Sequence, residues 1–237
     1  MYKRQVIVLD PDMPAEILEV IFNRPVRTWN APKVETETEI VQVLDGRYGH
    51  HTLLHPHTGE ETSSADRLRM IALALAKENP EDVLLVTWKE YADEFRKAQE
   101  KGEIPTELAI EHYGALEGIN KYNDRNTVVL MGAPQAAPMD IIEMALALYP
   151  SEELDLSLTE KWLKFGYEDI NGNGYKVKIK DFADARLQRI TELTRECELV
   201  QCARRIRETL SPGKRIYLLT HIPIEELPPS QLVTLEE

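Results

Sequence analysis

Two stretches of the chain place polar and charged residues at spacings that suit phosphate chemistry. In "ELVQCARRIR", Gln201 and Arg205 stand four apart, so on a helix at 100° per residue they share a face. Arg204 flanks them. Leu199, Cys202, Ala203, Ile206 and Leu210 form an apolar stripe on the opposite face, with Arg207 near its edge. A planar guanidinium beside an amide, with further arginine close by, is well equipped for phosphate oxygens. A solvated basic helix face is the alternative reading. In "LAIEHYGALEGIN", Gly114 and Gly118 would let backbone approach a phosphate. Glu117, Asn120 and His112 add polar groups where a parallel strand ends, and such sheets bind ligands outside the carboxyl ends of their strands. A tight turn that needs glycine accounts for the same residues.

Two other clusters read more plainly. His50, His51, His55 and His57 resemble a zinc or nickel ligand set. No cysteine or carboxylate completes that set, and Pro56 and Gly59 mark a loop, so a solvated loop is expected and no metal site. "DINGNGY" matches the first half of a calcium loop at Asp169, Asn171, Asn173 and Gly174. Its twelfth position, where calcium needs a bidentate glutamate, is Lys180. Asn-Gly is the commonest tight hairpin turn, and a turn is expected.

The bulk properties set limits. The chain has 237 residues and is 43% hydrophobic and 29% charged, ordinary for a globular protein with a substantial core. No apolar run reaches the ~18 residues of a membrane span, and no signal peptide is visible. On one helix Cys197 and Cys202 would be roughly 7–8 Å apart, too far for a disulfide. Their usage suggests a reducing, cytoplasmic setting. A net charge of −13 excludes a surface that is basic throughout. Residues 184–215 reverse that sign locally, with eight basic residues (Arg186, Arg189, Arg195, Arg204, Arg205, Arg207, Lys214 and Arg215) against five acids.

The elements that must position these residues follow from the apolar pattern. "EIVQVL" (39–44), "DVLLVTW" (82–88), "LAIEHYG" (108–114), "NTVVLMG" (126–132) and "KRIYLLTHI" (214–222) are continuous apolar runs, as expected of parallel strands covered on both faces. "QVIVLD" (5–10) reads the same way. Helical periods cover 14–22, 64–81, 89–102, 138–150 and a long stretch over 182–210. "KWLKFGYEDINGNGYKVKIK" (161–180) reads as a β-hairpin inserted between helices. The expected fold is a layered α/β domain.

The order of these pieces resembles the C-terminal lobe of a superfamily 2 helicase of the DEAD/DEAH-like, XPD-like and plasmid- or phage-type class. "VLLVTWK" looks like motif IV, "LEGIN" like motif V (E-G-[IV]-[DN]) and "QCARRIR" like motif VI (Q-x-x-G-R-x-x-R). "HYGALEGIN…VVLMGAPQ" is similar to the H-[YF]-G-A-L-R-G-x-N…V-V-L-G-x-P-Q stretch of the plasmid and phage type. "VIVLDPDMP" sits where motif III belongs but lacks its usual Ser/Asp-Ala-Thr. The resemblance covers almost the whole chain. It implies a RecA-like three-layer domain over 39–237, with the inserted hairpin, an interlobe linker over 25–38, and a remnant strand and helix of a preceding ATPase lobe over 1–24. Met1–Gln5 read as a processing scar.

The resemblance also implies roles. Arg205 matches the motif VI arginine finger that reaches the γ-phosphate of ATP, and Gln201 matches the motif VI glutamine. Arg204 stands in place of the motif glycine. Glu208 falls on the last arginine of the pattern, with Arg207 as its substitute one residue early. Glu117, Gly118 and Asn120 match motif V, which couples nucleotide to the bound strand. Thr87, Lys89 and His112 would lie along the nucleic acid. ATP and Mg²⁺ would be held in the two-lobed parent, because this chain has no G-x-x-x-x-G-K-[ST] and no D-E-x-[HD] after a strand. The expected partners are single-stranded or duplex nucleic acid and the N-terminal ATPase lobe, with no membrane. Two other readings compete with this motor-lobe reading: a non-enzymatic nucleic-acid or partner binding module, and an unrelated α/β enzyme such as a nucleotide-sugar transferase.

Overall fold

A computed structural model describes residues 7–8, 13–29, 36–43, 64–162, 167–168 and 174–234. Its centre is a six-stranded sheet in the order β10-β1-β9-β4-β2-β3, with every neighbouring pair parallel. The strands are β1 (Glu39–Val43), β2 (Val83–Thr87), β3 (Ala109–His112), β4 (Thr127–Met131), β9 (Arg215–Leu219) and β10 (Gln231–Val233). β2 is buried along its whole length, because alternate residues face opposite helical layers. Val83 and Leu85 join Val129 and Met131 under α2 (Ser64–Glu78) and α3 (Lys89–Glu100). Leu84 and Val86 join Val128, Leu130, Ile216 and Leu218 under the end of α5 (Ala185–Ala203). The result is a three-layer α/β arrangement, as the continuous apolar runs predict.

The inserted hairpin forms where expected. β5 (Leu158–Trp162) pairs antiparallel with β8 (Lys178–Phe182), and β6 (Tyr167–Glu168) with β7 (Gly174–Tyr175). The turn expected over 169–173 and the histidines at 50–57 lie outside the described residues. α1 (Ala15–Phe22) packs on this domain. Ile17 is buried with Ile141 and Ala145 of α4 (Pro138–Leu148) and with Leu187 and Ile190 of α5, and Glu16 pairs with Arg189 at 3.2 Å. Among the described residues no helix is long and apolar enough to cross a membrane.

Three expectations are corrected. Of the strand expected over 5–10, Ile7 and Val8 are described. They are not in a strand and are 80% and 43% exposed. The helix expected over 182–210 starts at Ala185, where Asp184 accepts the Arg186 N–H, and ends at Ala203. A 3₁₀ turn over Arg204–Ile206 follows, and then Arg207 in the left-handed region with φ 55°. The chain therefore turns before Leu210, which is 75% exposed rather than part of the apolar stripe. Leu199, Cys202, Ala203 and Ile206 are buried, as that stripe requires. The third correction is β10, a short strand at the sheet edge that the apolar pattern did not single out.

The carboxyl ends of β2, β3 and β4 are tied by close packing. Tyr113 donates its hydroxyl to the Gly132 carbonyl at 2.9 Å, and its ring meets Trp88 edge-on at 6.2 Å between centroids. Gly132 has φ +80°, and a Cβ there would overlap the Trp88 ring. Gly132→Ala is therefore expected to lower the unfolding free energy by about 2–4 kcal/mol, read by urea denaturation. A loss below about 1 kcal/mol would mean that Trp88 has room to move aside.

Candidate functional site

The two stretches singled out for phosphate chemistry meet in the structure. After β3 the chain must return to the amino end of β4, passing β2, which lies between them. It does so in residues 113–126 without a helix, through turns in which Gly114 and Gly118 take φ +80° and +68°. No atom crowds the Cβ position at either glycine, so the left-handed backbone, not space, calls for glycine there. Leu116 and Tyr122 of this segment sink into the same core cluster as the end of α5.

Three side chains from the α5 end hold the segment. Glu198 Oε1 accepts the Gly114 N–H at 2.7 Å and the Cys202 thiol at 3.3 Å. Arg205 Nη1 donates to the Ile119 carbonyl at 3.4 Å. Arg207 Nη2 donates to Asn120 Oδ1 at 2.7 Å. Burial pushes the Cys202 thiol well up, and Glu198 beside it adds to that, so this cysteine is a packing group. Arg205 Nε is buried with no hydrogen-bond partner. This N–H is thus left with a hydrogen bond to donate.

Arg205 corrects a simple helical projection. Four residues from Gln201, it is expected on the solvent side. It is half-buried instead, because the 113–126 segment covers that side of α5. Gln201 is half-buried on the last turn of α5. Arg204 is exposed, with Nε 3.6 Å from Glu208 Oε1. Burial raises the Glu208 carboxyl, opposed by its own backbone hydrogen bond and by Arg204 and Arg207. Glu208 is a buried partner for Arg204, while Arg207 is exposed and turned onto Asn120. Glu117, Gly118 and Asn120 are all exposed.

The local excess of basic residues is largely neutralised. Arg186 pairs with Asp184 and Glu152, Arg189 with Glu16 and Glu192, and Arg195 with Glu196 and Asp181. Arg204 pairs with Glu208 and Arg215 with Glu39. Lys214 is buried and donates to the carbonyls of Asn123 and Arg125, which anchors the far end of the same segment. Of the eight basic residues in 184–215, Arg205 and Arg207 are the two that reach the surface with neutral partners among the described residues.

The nucleic-acid candidates gather elsewhere, at the carboxyl end of β2 and β3. Thr87 and His112 are register partners, and Lys89 is exposed at the first position of α3. Thr87 is fully buried and donates its hydroxyl to the Met131 carbonyl at 3.3 Å, which holds β2 to β4. His112 Nδ1 bonds the Tyr113 carbonyl at 2.8 Å.

The motifs did not reveal the residues that brace the site. Glu198 lies in helical line with Cys202 and Arg205, at i, i+4 and i+7, and that periodicity is the signal that would have found it. Glu111 on β3 accepts from Tyr122 and Lys121 and pairs with Arg96. Burial alone would raise its carboxyl, but these donors and cations outweigh it and hold it below the usual range. No group of three or more potential metal ligands occurs among the described residues. The chain matches no family model, no curated protein and no solved structure.

The left-handed Arg207 separates strain from contact. Arg207→Gly is expected to leave the unfolding free energy unchanged or raise it by up to about 1 kcal/mol, because glycine accepts this backbone freely. Arg207→Ala keeps the strain, loses the Asn120 bond, and is expected to lower it by about 1 kcal/mol. Equal losses in both variants, read by urea titration, would place the stabilisation in the side chain alone.

Proposed function

We propose that the chain is the second, RecA-like motor lobe of an ATP-dependent nucleic-acid helicase or translocase. The observation that carries this reading is the seating of Arg205 on Ile119 and of Arg207 on Asn120, across 86 and 87 residues of sequence. Those are the pieces that resemble motif VI and motif V, and coupling nucleotide to strand requires them to move as one body. The three-layer parallel sheet supports the reading, as do the neutral hydrogen-bond partners of Arg205 and Arg207.

In this reading Arg205 approaches the transferred phosphoryl group of ATP when a P-loop lobe closes on this one. Its Nε, which has no hydrogen-bond partner within the chain, would donate to oxygens that gain charge in the transition state once the lobes close. Arg207 and Asn120 fix the turn that carries Glu117 and Gly118, so that closing on nucleotide shifts the strand-facing side. Lys89 and His112 lie along the phosphodiester backbone at the carboxyl end of the sheet. The ATP cradle and the Mg²⁺ ligands belong to the partner lobe.

Arg205→Ala in the two-lobed protein is expected to cut nucleic-acid-stimulated ATP hydrolysis by about 10³-fold or more while ATP still binds. Unchanged turnover would remove the finger role and favour a non-enzymatic binding module. Lys89→Ala is expected to weaken single-strand binding and to lower the slope of log affinity against log salt by about one. An unchanged slope would take Lys89 off the track.

A further inference from the structure

A cavity of about 300 Å³ opens beyond the carboxyl ends of β4 and β9, between the sheet, α5 and the inserted hairpin. Gln135 and His221, on the loops that leave those two strands, line it with Thr191 and Arg195 of α5 and Asp181 of β8. Apolar walls come from Ile179, Phe182 and Ile222. Small-ligand sites have this form: a largely apolar pocket, a few convergent polar groups, and a place at the strand ends of a parallel sheet.

Two of the lining side chains are almost wholly buried. Arg195 is 2% exposed and Asp181 4%. Glu196 takes Arg195 Nε at 3.0 Å and Nη2 at 2.6 Å. Arg195 Nη1 makes no hydrogen bond among the described residues. Asp181 Oδ1 accepts the Phe182 N–H at 2.8 Å, and Oδ2 stands 3.8 Å from Arg195 Nη2, beyond hydrogen-bond length. Arg195 Nη1 and Asp181 Oδ2 therefore stand on neighbouring side chains at the cavity wall with hydrogen-bonding capacity left for a ligand. Two carboxylates, Asp181 and Glu196, already surround the one guanidinium. An anion is thus disfavoured in the depth of the pocket, and a neutral group with an adjacent donor and acceptor fits. Lys180 is exposed and also lines the cavity, a cation for any phosphate attached to that group.

We infer that this cavity is a nucleobase pocket, in which Asp181 accepts from and Arg195 donates to the hydrogen-bonding edge of one base while Ile179, Phe182 and Ile222 cover its faces. The base comes either from a free nucleotide or from a single strand crossing the sheet end. The inference does not rest on the motor reading. Arg195 and Arg205 are ten residues apart, about 15 Å along α5 and the 3₁₀ turn that follows it, so either site can fail without the other.

The test is calorimetric titration of the whole chain with the four nucleoside monophosphates, the four homo-oligonucleotides and an abasic oligonucleotide of equal charge. Ala136 also lines the cavity, so Ala136→Phe fills it, and Asp181→Asn keeps the shape and loses the acceptor; circular dichroism confirms that each is folded. Saturable binding of at least one monophosphate, weakened at least about tenfold in Ala136→Phe, supports a free nucleotide. Base-dependent oligonucleotide binding that the abasic strand lacks, with the same loss in Ala136→Phe and no binding of monophosphates, supports a base from the strand. Absence of base-dependent binding in both series overturns the inference, as does binding that the folded variants leave unchanged.

Discussion

The grip of α5 on residues 113–126 is the constraint on which the rest of the structure depends. A parallel crossover usually spends a helix on the return, which satisfies its own backbone and packs on the sheet. Here the return from β3 to β4 crosses β2 as turns alone, and its polar groups need outside partners. Glu198 supplies one at Gly114, Arg205 one at Ile119 and Lys214 two near its end, while Arg207 holds the Asn120 side chain. Leu116 and Tyr122 add apolar anchors. The segment is held from both ends and the middle by residues that come after it in the chain.

That grip explains why charge survives where it does. Ion pairs consume most of the arginines along α5 and its flanks, and one of them, Arg195, is buried. Carboxylates surround the early part of the helix. At its end the partners are a carbonyl and an amide, which orient a guanidinium without neutralising it. The long helix and the 3₁₀ turn after it thus carry two different polar environments about 15 Å apart. One is a buried network rich in carboxylates beside the inserted hairpin, and the other is an open cationic end beside the turn segment.

Much of the layering was legible in the amino-acid sequence, because parallel strands buried on both faces read as unbroken apolar runs. Val83–Val86 and Val128–Met131 are such runs, and both are core. The hairpin was legible from its flanking strand patterns. The end of α5 was not. Residues 204–210 keep an acceptable helical period, and the left-handed turn at Arg207 has no glycine to announce it. The half-burial of Arg205 was hidden for a related reason: a projection onto one helix cannot register a segment 86 residues away that covers its outer side. Thr87 lay on the expected strand, but its burial depends on the neighbouring strand β4, whose Met131 carbonyl takes its hydroxyl. The Asp181–Arg195 pair joins two elements that show no common motif.

The account holds that the turn segment and the end of α5 act as one unit in coupling ATP to the strand. The most direct test is a double-mutant cycle of Asn120→Ala and Arg207→Ala on strand-stimulated ATP hydrolysis by the two-lobed protein. The account predicts strong non-additivity, with the double variant no slower than the slower single one. Additive losses, within about 0.5 kcal/mol of the sum of the single effects, would contradict it.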